Sequence, residues 1–112
     1  MIGKNSMKNE FDVPLDRNGY APSILHQSNR YCYLCYRNTG RLERHEVFHG
    51  SDRTRSKALG LWVYICHDCH YLVHNGDGTL DRKLKEDAQQ IAESYYGWNH
   101  DDFRKRFRKS YN

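Results

Sequence analysis

Two identical Cys-x-x-Cys motifs constrain this chain more than any other feature of its 112 residues. The first contains Cys32 and Cys35, and the second contains Cys66 and Cys69. Each motif can present two thiolates from one tight turn, and two such pairs complete a closed tetrahedral zinc site with no position left for a substrate. We therefore predict one structural Zn²⁺ held by all four cysteines, and any chemistry must use other residues.

Disulfide pairing is the alternative for these cysteines. The segment from Met1 to Phe11 has no apolar stretch of the kind that a secretory signal contains, and no run approaches the ~18 apolar residues of a membrane helix. We therefore expect a cytoplasmic protein without a membrane contact. Thiols stay reduced in that compartment and remain available to a metal.

The spacing and the composition set the size of what folds around the metal. Thirty residues separate Cys35 from Cys66, which exceeds the ~15–20 of a usual zinc ribbon. Only 38% of the residues are hydrophobic, so the core must be small and dependent on the metal. We expect an irregular N-terminal arm over residues 1–30 and a zinc-stabilised domain over residues 31–112.

The residue pattern predicts a small α+β fold. We expect strands at Tyr31–Cys35, Leu42–Phe48 and Leu61–Ile65, with a turn at 38–40 and a polar loop at Gly50–Lys57. A helix capped by Asp68 should follow the second cysteine motif. Helical spacing then predicts a helix over 80–96 and a last helix from about Asp101. The aromatic side chains of that last segment, Phe103, Phe107 and Tyr111, should pack in the core.

The order strand, strand, helix, with a metal held between strand and helix, is the ββα-metal arrangement. The stretches CYLC (32–35), LERHEVFHG (42–50), RSKALGLWVYIC (55–66) and HDCHYLVH (67–74) resemble the HNH endonucleases, in particular small phage-type members with a four-cysteine zinc. The resemblance implies a ββα-metal (His-Me finger) core with C-terminal helices and a metal-dependent hydrolysis of DNA phosphodiester bonds. It also implies a phage or prophage role, with packaging proteins as partners.

The resemblance implies a catalytic metal bound by His45, His70 and His74. Residues four apart share one helix face, so His70 and His74 can both reach one cation. Imidazole suits Zn²⁺, Ni²⁺ and other transition metals; we expect one Mg²⁺, Mn²⁺, Ni²⁺ or Zn²⁺ in the active site. The alternatives are that His70 hydrogen-bonds a zinc-bound thiolate and that His74 compensates the helix dipole.

Two positions depart from the family pattern. Glu46 follows His45 where the family has a histidine as general base, and the family's asparagine is absent near Gly60. Glu46 could orient and deprotonate a water, with His45 beside it in the catalytic pair. It could instead accept a hydrogen bond from a ligand histidine while His49 or a water serves as base. The second reading of the chain is a catalytically silent, zinc-stabilised DNA-binding module.

The remaining histidines, His26, His49, His67 and His100, are expected on the surface or behind the metal ligands. The net charge is +4, and the bases cluster in two places. One cluster contains Arg53, Arg55 and Lys57, and the other contains Arg104, Arg106 and Arg108. We predict that both clusters contact DNA phosphates. The alternative for each cluster is a solvated basic face.

Overall fold

Two antiparallel strands form the centre of the structure, a computed structural model that describes residues 7–26, 28–38 and 40–112. The elements in chain order are β1 (Leu42–Glu46), a 3₁₀ turn (Gly50–Asp52), α1 (Arg53–Ala58), β2 (Trp62–Cys66), α2 (His67–Asn75), α3 (Thr79–Tyr96) and α4 (His100–Phe107). The predicted α+β class is confirmed. In this part of the chain no helix has both the length and the apolar character that a membrane crossing requires.

The register of the two strands decides which side chains share a face. Leu42 lies opposite Cys66 and Glu46 lies opposite Trp62, with Arg44 facing Tyr64 between them. Because side chains alternate along a strand, Glu43 and His45 point to one face of the ribbon. Arg44 and Glu46 point to the other face, so the two neighbours His45 and Glu46 belong to different sides.

The core lies between the ribbon and the C-terminal helices. Val63 and Ile65 of β2 are fully buried, as is Leu84 of α3 at 2% exposure. From α4, Phe103 and Phe107 pack on Phe48, with ring centroids 5.3 and 4.6 Å away. Each such ring contributes about 1.5–3 kcal/mol when buried. The prediction that the last aromatic side chains belong to the core is confirmed for Phe103 and Phe107, whereas Tyr111 lies beyond the end of α4 and packs against the core partly buried.

The long helices begin and end close to the predicted positions. The α3 helix ends at Gly97, whose φ of 72° is the left-handed conformation that favours glycine. The α4 helix begins with a capping box, in which Asn99 accepts from the Asp102 amide and Asp102 accepts from the Asn99 amide. On the polar side of α3, the pairs Asp81–Lys85 and Lys83–Asp87, each four residues apart, form at 3.0 Å.

The predicted strand at Tyr31–Cys35 is wrong. Residues 31–38 form tight turns, because Tyr36 donates to the Cys32 carbonyl and Cys32 donates to the Arg37 carbonyl. Among the described residues, this closed loop makes one backbone hydrogen bond to the sheet, from the Tyr33 amide to the Tyr64 carbonyl at 2.9 Å. The geometry of the cysteine turn therefore overrides the β propensity of the tyrosines.

The predicted polar loop at Gly50–Lys57 is also wrong, because it contains the 3₁₀ turn and α1. The buried Ser56 explains the difference. Its hydroxyl donates to the Leu61 carbonyl at 2.6 Å and accepts from the Phe48 amide at 3.1 Å. These two bonds fix a polar segment against the core, which the sequence pattern alone did not indicate.

The helix in the second cysteine motif forms as predicted, but Asp68 does not cap it. The N-cap is Cys66, whose sulfur accepts from the Cys69 amide at 3.4 Å. Asp68 is exposed in the first turn and lies 3.9 Å from Arg37. A cysteine turn supplies this cap because its sulfur already points at the first helical amides.

The N-terminal segment packs along the connection between α1 and β2. Ala21 donates to the Lys57 carbonyl at 3.0 Å, and the Trp62 indole donates to the Ala21 carbonyl at 2.8 Å. Ser23, which is 7% exposed, donates to the Trp62 carbonyl. The boundary at residue 30 stays a prediction; residues 1–6 and 27 of the arm, and Thr39 of the predicted turn, lie outside the described residues.

Gly60 provides the first testable prediction. A Cβ at this position would lie 2.4 Å from the Pro22 carbonyl oxygen, and its φ is +74°. Gly97 has a similar φ of +72° but open space around it. Left-handed backbone costs a non-glycine residue about 1–2 kcal/mol. We expect Gly97→Ala to lower the free energy of unfolding by about that amount and Gly60→Ala to lower it further, as measured by chemical denaturation. Equal losses would show that the N-terminal segment does not pack against Gly60.

Candidate metal centre and its cleft

The four cysteines converge at the junction between the first turn, β2 and α2. Their sulfur atoms all lie within 4.8 Å of one another, and no pair forms a disulfide. The Cys35 and Cys66 sulfurs are 3.8 Å apart. Metal–sulfur bonds of about 2.3 Å in a tetrahedron give an edge of about 3.8 Å. The four side chains are therefore positioned to hold a metal ion, compatible with a structural zinc.

Arg37 adds a charge contact to this cluster. Its guanidinium donates to the Cys35 sulfur at 3.3 Å. Hydrogen bonds from the backbone and side chain of Arg37 lower the pKa of Cys35 to about 6. Since a thiolate is the form that binds metal, the contact favours a loaded cluster at neutral pH.

Three histidines form a second cluster on the inner face of the ribbon. His45 of β1 faces His70 and His74 of α2, and their ring nitrogens lie within 4.8 Å of one another. The three ring centroids are 5.0 to 5.2 Å apart. The structure therefore brings together the three residues that the resemblance named as ligands of a second metal.

The burial and the protonation state of His45 are those expected of a metal ligand. The side chain is 2% exposed, and its Nε2 has no hydrogen-bond partner among the described residues. Burial, followed by the neighbouring charges of His70 and His74, lowers the pKa of His45 to about 3. Burial also lowers the pKa of His74. Both imidazoles are neutral at pH 7, which is the form that coordinates a cation. A bound cation would also give the buried Nε2 of His45 a partner, and a buried ring nitrogen without one is costly.

Glu43 fixes the orientation of His70, a contact that the sequence analysis missed. Its carboxylate lies 2.7 Å from His70 Nδ1 and 3.1 Å from His67 Nδ1. These hydrogen bonds, that to His70 first, lower the pKa of Glu43. With Nδ1 engaged, His70 offers Nε2 to a ligand, as metal-binding histidines commonly do. The signal was present, because Glu43 is two residues from His45 on the same strand face.

Glu46 lies on the opposite face from His45 and reaches the cleft around the end of β1. The Tyr20 hydroxyl donates to one carboxylate oxygen of Glu46, and Arg53 Nε donates to the other at 2.9 Å. Burial and this carboxylate raise the pKa of Tyr20 to about 12, so Tyr20 remains a donor. Nothing in the sequence indicated Tyr20, because its contact spans 26 positions and comes from an irregular segment.

The cleft that contains these groups has a volume of about 400 Å³. Side chains from both faces of the ribbon contribute to its lining. Its lining consists of Tyr20, Arg44, His45, Glu46, His49, Gly50, Arg53, His70 and His74. A polar cleft of this kind suits a charged group more than an apolar ligand.

Two of the remaining histidines, His49 and His26, are not simple surface residues. His49 lines the cleft, and its Nε2 lies 2.9 Å from Asp81 of α3. His26 is 4% exposed, so the expectation that it lies on the surface or behind the ligands is wrong; it packs among Tyr31, Tyr33 and Tyr64. His26 was misjudged because its neighbours come from distant parts of the chain, whereas His49 lies beside His45 and His74, within the expected range of positions.

The basic residues predicted to contact DNA have partners within the fold. Arg104 pairs with Asp101, Arg106 with Glu10, and Arg108 with Asp52. Arg53 pairs with Glu46, Arg55 donates to the Arg106 carbonyl, and the Lys57 ammonium lies 4.7 Å above the Tyr20 ring. The charge available to phosphate is thus partly neutralised internally, and the DNA contact of these six residues stays a prediction.

Comparisons of the chain with protein-family models, with curated proteins and with solved structures returned no match.

The cysteine cluster provides the second testable prediction. Purified protein should contain one tightly bound zinc per chain, and Cys66→Ser should abolish both the zinc and cooperative thermal melting. The reason is that Cys66 supplies a ligand and also caps α2, so its loss removes metal-coupled folding energy and the start of the helix. Metal analysis and circular dichroism measure the two effects.

The matched control is His74→Ala, which changes the other cluster on the same helix. It should keep the structural zinc and the cooperative transition. Wild-type protein that melts cooperatively without zinc would contradict a metal role for the cysteines.

Proposed function

We propose that this chain is a metal-dependent DNA endonuclease of the HNH type, with β1, β2 and α2 as its ββα-metal core. The observation that carries the proposal is the convergence of His45, His70 and His74 on one point of the cleft, with Glu43 orienting one of them. Metal-dependent hydrolysis of a phosphodiester uses a preorganised cluster of metal ligands that leaves a position open to a phosphate oxygen.

The three histidines fit a cation by their chemistry. Neutral imidazoles in this number suit Zn²⁺, Ni²⁺ and related divalent metals, and the unpartnered Nε2 of His45 gains a partner when a cation binds. A bound divalent ion would polarise the scissile phosphate and stabilise the leaving 3′ oxygen. Mg²⁺ and Mn²⁺ remain candidates alongside Ni²⁺ and Zn²⁺.

Glu46 is the proposed group that holds the attacking water. Tyr20 and Arg53 each bond one of its oxygens, which fixes the carboxylate at the cleft end of β1. Each oxygen keeps a further lone pair to accept a hydrogen bond from water. His49, fixed by Asp81 beside His45 and His74, is the alternative proton acceptor.

A second candidate function is a catalytically silent, zinc-stabilised DNA-binding module. The ion pair between Arg53 and Glu46 favours it, because a carboxylate engaged by two donors can serve structure alone. The phage or prophage setting, the packaging partners and the phosphate contacts of the two basic clusters belong to the proposal in either form.

The third testable prediction concerns the metal ligands. Plasmid nicking should be measured with Mg²⁺, Mn²⁺, Ni²⁺ and Zn²⁺ in turn. His74→Ala should lower the rate by about 100-fold or more, and Glu43→Gln by about 10–100-fold, since residues behind metal ligands have effects of that size. His100→Ala is the matched control, because His100 pairs with Glu93 on the surface and should leave the rate unchanged.

Cleavage by His74→Ala at the wild-type rate would contradict the three-histidine site. DNA binding by the wild-type protein without cleavage under any of the four metals would favour the silent module.

The fourth testable prediction concerns the base. Glu46→Gln keeps the size of the side chain but cannot accept a proton, so the rate should fall about 10²–10⁴-fold with DNA affinity unchanged. His49→Ala, measured in parallel, tests the alternative acceptor. A full rate in Glu46→Gln and a comparable loss in His49→Ala would transfer the role to His49.

A further inference from the structure

A row of aromatic rings extends from the cleft to the surface beside the first cysteine motif. In spatial order the rings belong to Tyr20, Trp62, Tyr64, His26, Tyr31 and Tyr36. Successive ring centroids are 5.3, 5.1, 6.2, 5.0 and 5.9 Å apart. These spacings are those of interacting aromatic pairs, so the six rings form one continuous path, called here the ring track.

The inner end of the ring track meets the cleft at Tyr20. Arg44, which also lines the cleft, holds its guanidinium 4.4 Å from the Tyr20 centroid and 4.8 Å from the Trp62 centroid. Arg44 shares a face of the ribbon with Tyr64 and is exposed. The track therefore carries a guanidinium over its rings where it enters the cleft, and the Asp16 carboxylate lies 3.4 Å from that group.

Two pockets lie along the track, and His26 lines both. The inner one has a volume of about 520 Å³ and includes Trp62 and Tyr64 in its lining. The outer one has a volume of about 360 Å³ and includes Tyr31 and Tyr36. Flat side chains thus border open space on both sides of His26.

His26 is a buried ring between these pockets, and it links the inner rings to the outer ones. Its Nδ1 accepts from the Tyr64 amide at 3.3 Å, so in the neutral ring the proton is on Nε2. Burial lowers the pKa of His26, which keeps the ring neutral. Nε2 has no hydrogen-bond partner among the described residues although the side chain is 96% buried.

The outer end of the track is exposed. Tyr36 is 72% exposed and stacks on Tyr31 with an angle of 27° between the rings. Tyr36 has a φ of +63°, a conformation that residues other than glycine seldom adopt, and its amide bonds the Cys32 carbonyl. The turn of the cysteine motif therefore holds this ring outward.

We propose that the ring track binds a single strand of DNA, whose bases stack on the tyrosines and whose backbone enters the cleft at Arg44. The substrate class of the proposed nuclease would then be DNA with an unpaired strand next to the scissile phosphate. The binding proposal depends on the proposed nuclease function only for the cleavage step. Bases in a duplex are already stacked on one another, so only an unpaired strand offers its faces to a row of rings. The Arg44 guanidinium at the inner end complements the phosphate charge when the phosphate replaces Asp16, whose exposed ion pair with Arg44 is 3.4 Å long.

The experiment measures binding without cleavage. Fluorescence anisotropy in EDTA, with the zinc content of the protein checked after dialysis, compares a labelled 20-nucleotide oligo(dT) with a 20-base-pair duplex. Wild-type protein should bind the oligo(dT) more tightly. Tyr36→Ala and Tyr31→Ala should each weaken oligo(dT) binding roughly five-fold or more, the effect of losing one stacked base, and leave duplex binding unchanged.

Two controls keep the result interpretable. Tyr36→Phe keeps the ring and should retain the oligo(dT) affinity. Tyr95→Ala removes a tyrosine that is 66% exposed on α3, away from the track, and should have no effect. Unchanged melting of each variant excludes misfolding.

Equal affinity for both DNA forms, a duplex preference, or equal weakening of both by Tyr36→Ala would overturn the track. An absence of any DNA binding would also overturn the proposal. Failure of the nuclease is distinguishable, because a protein that binds oligo(dT) through Tyr36 but cleaves nothing keeps the track and loses the catalytic proposal.

Discussion

The sulfur of Cys66 occupies the point on which the rest of the site depends. Cys66 is the last residue of β2, and its sulfur both belongs to the four-thiol cluster and caps the first turn of α2. His70 and His74 follow within two turns of that cap, so their position relative to β1 is set where strand, thiol cluster and helix join. A chain with so small a core has few other means of fixing a nine-residue helix against a two-stranded ribbon.

The second constraint is the alternation of side chains along β1. His45 faces α2 and the other histidines, while Glu46 faces the N-terminal segment and is held there by Tyr20. Groups from both faces of the ribbon nevertheless border one cleft. The N-terminal segment thus does more than cover the ribbon, since it supplies a donor to the cleft and the first ring of the track.

Much of this arrangement could be predicted from local sequence patterns. The two Cys-x-x-Cys motifs predicted the cluster of thiols, and the spacing of His70 and His74 after Cys69 predicted the helix that carries the imidazoles. The periodicity from Leu80 predicted α3. Local patterns failed where a few long-range bonds decided the structure. Ser56 makes α1 a packed helix, the turn at Cys32 prevents a strand at Tyr31, and Glu10 pairs with Arg106 across 96 positions. None of these contacts produces a periodic pattern of residues in the sequence.

The opposite orientations of His45 and Glu46 make the ribbon intolerant of changes in length. Adding or removing one residue within β1 would exchange the two faces, placing a carboxylate among the imidazoles and an imidazole against Tyr20. The bend between α2 and α3 has no such restriction, because Gly78 is exposed there and has open space around it. A fluorophore, an epitope or an extra loop is therefore better accommodated at that bend than anywhere in the ribbon.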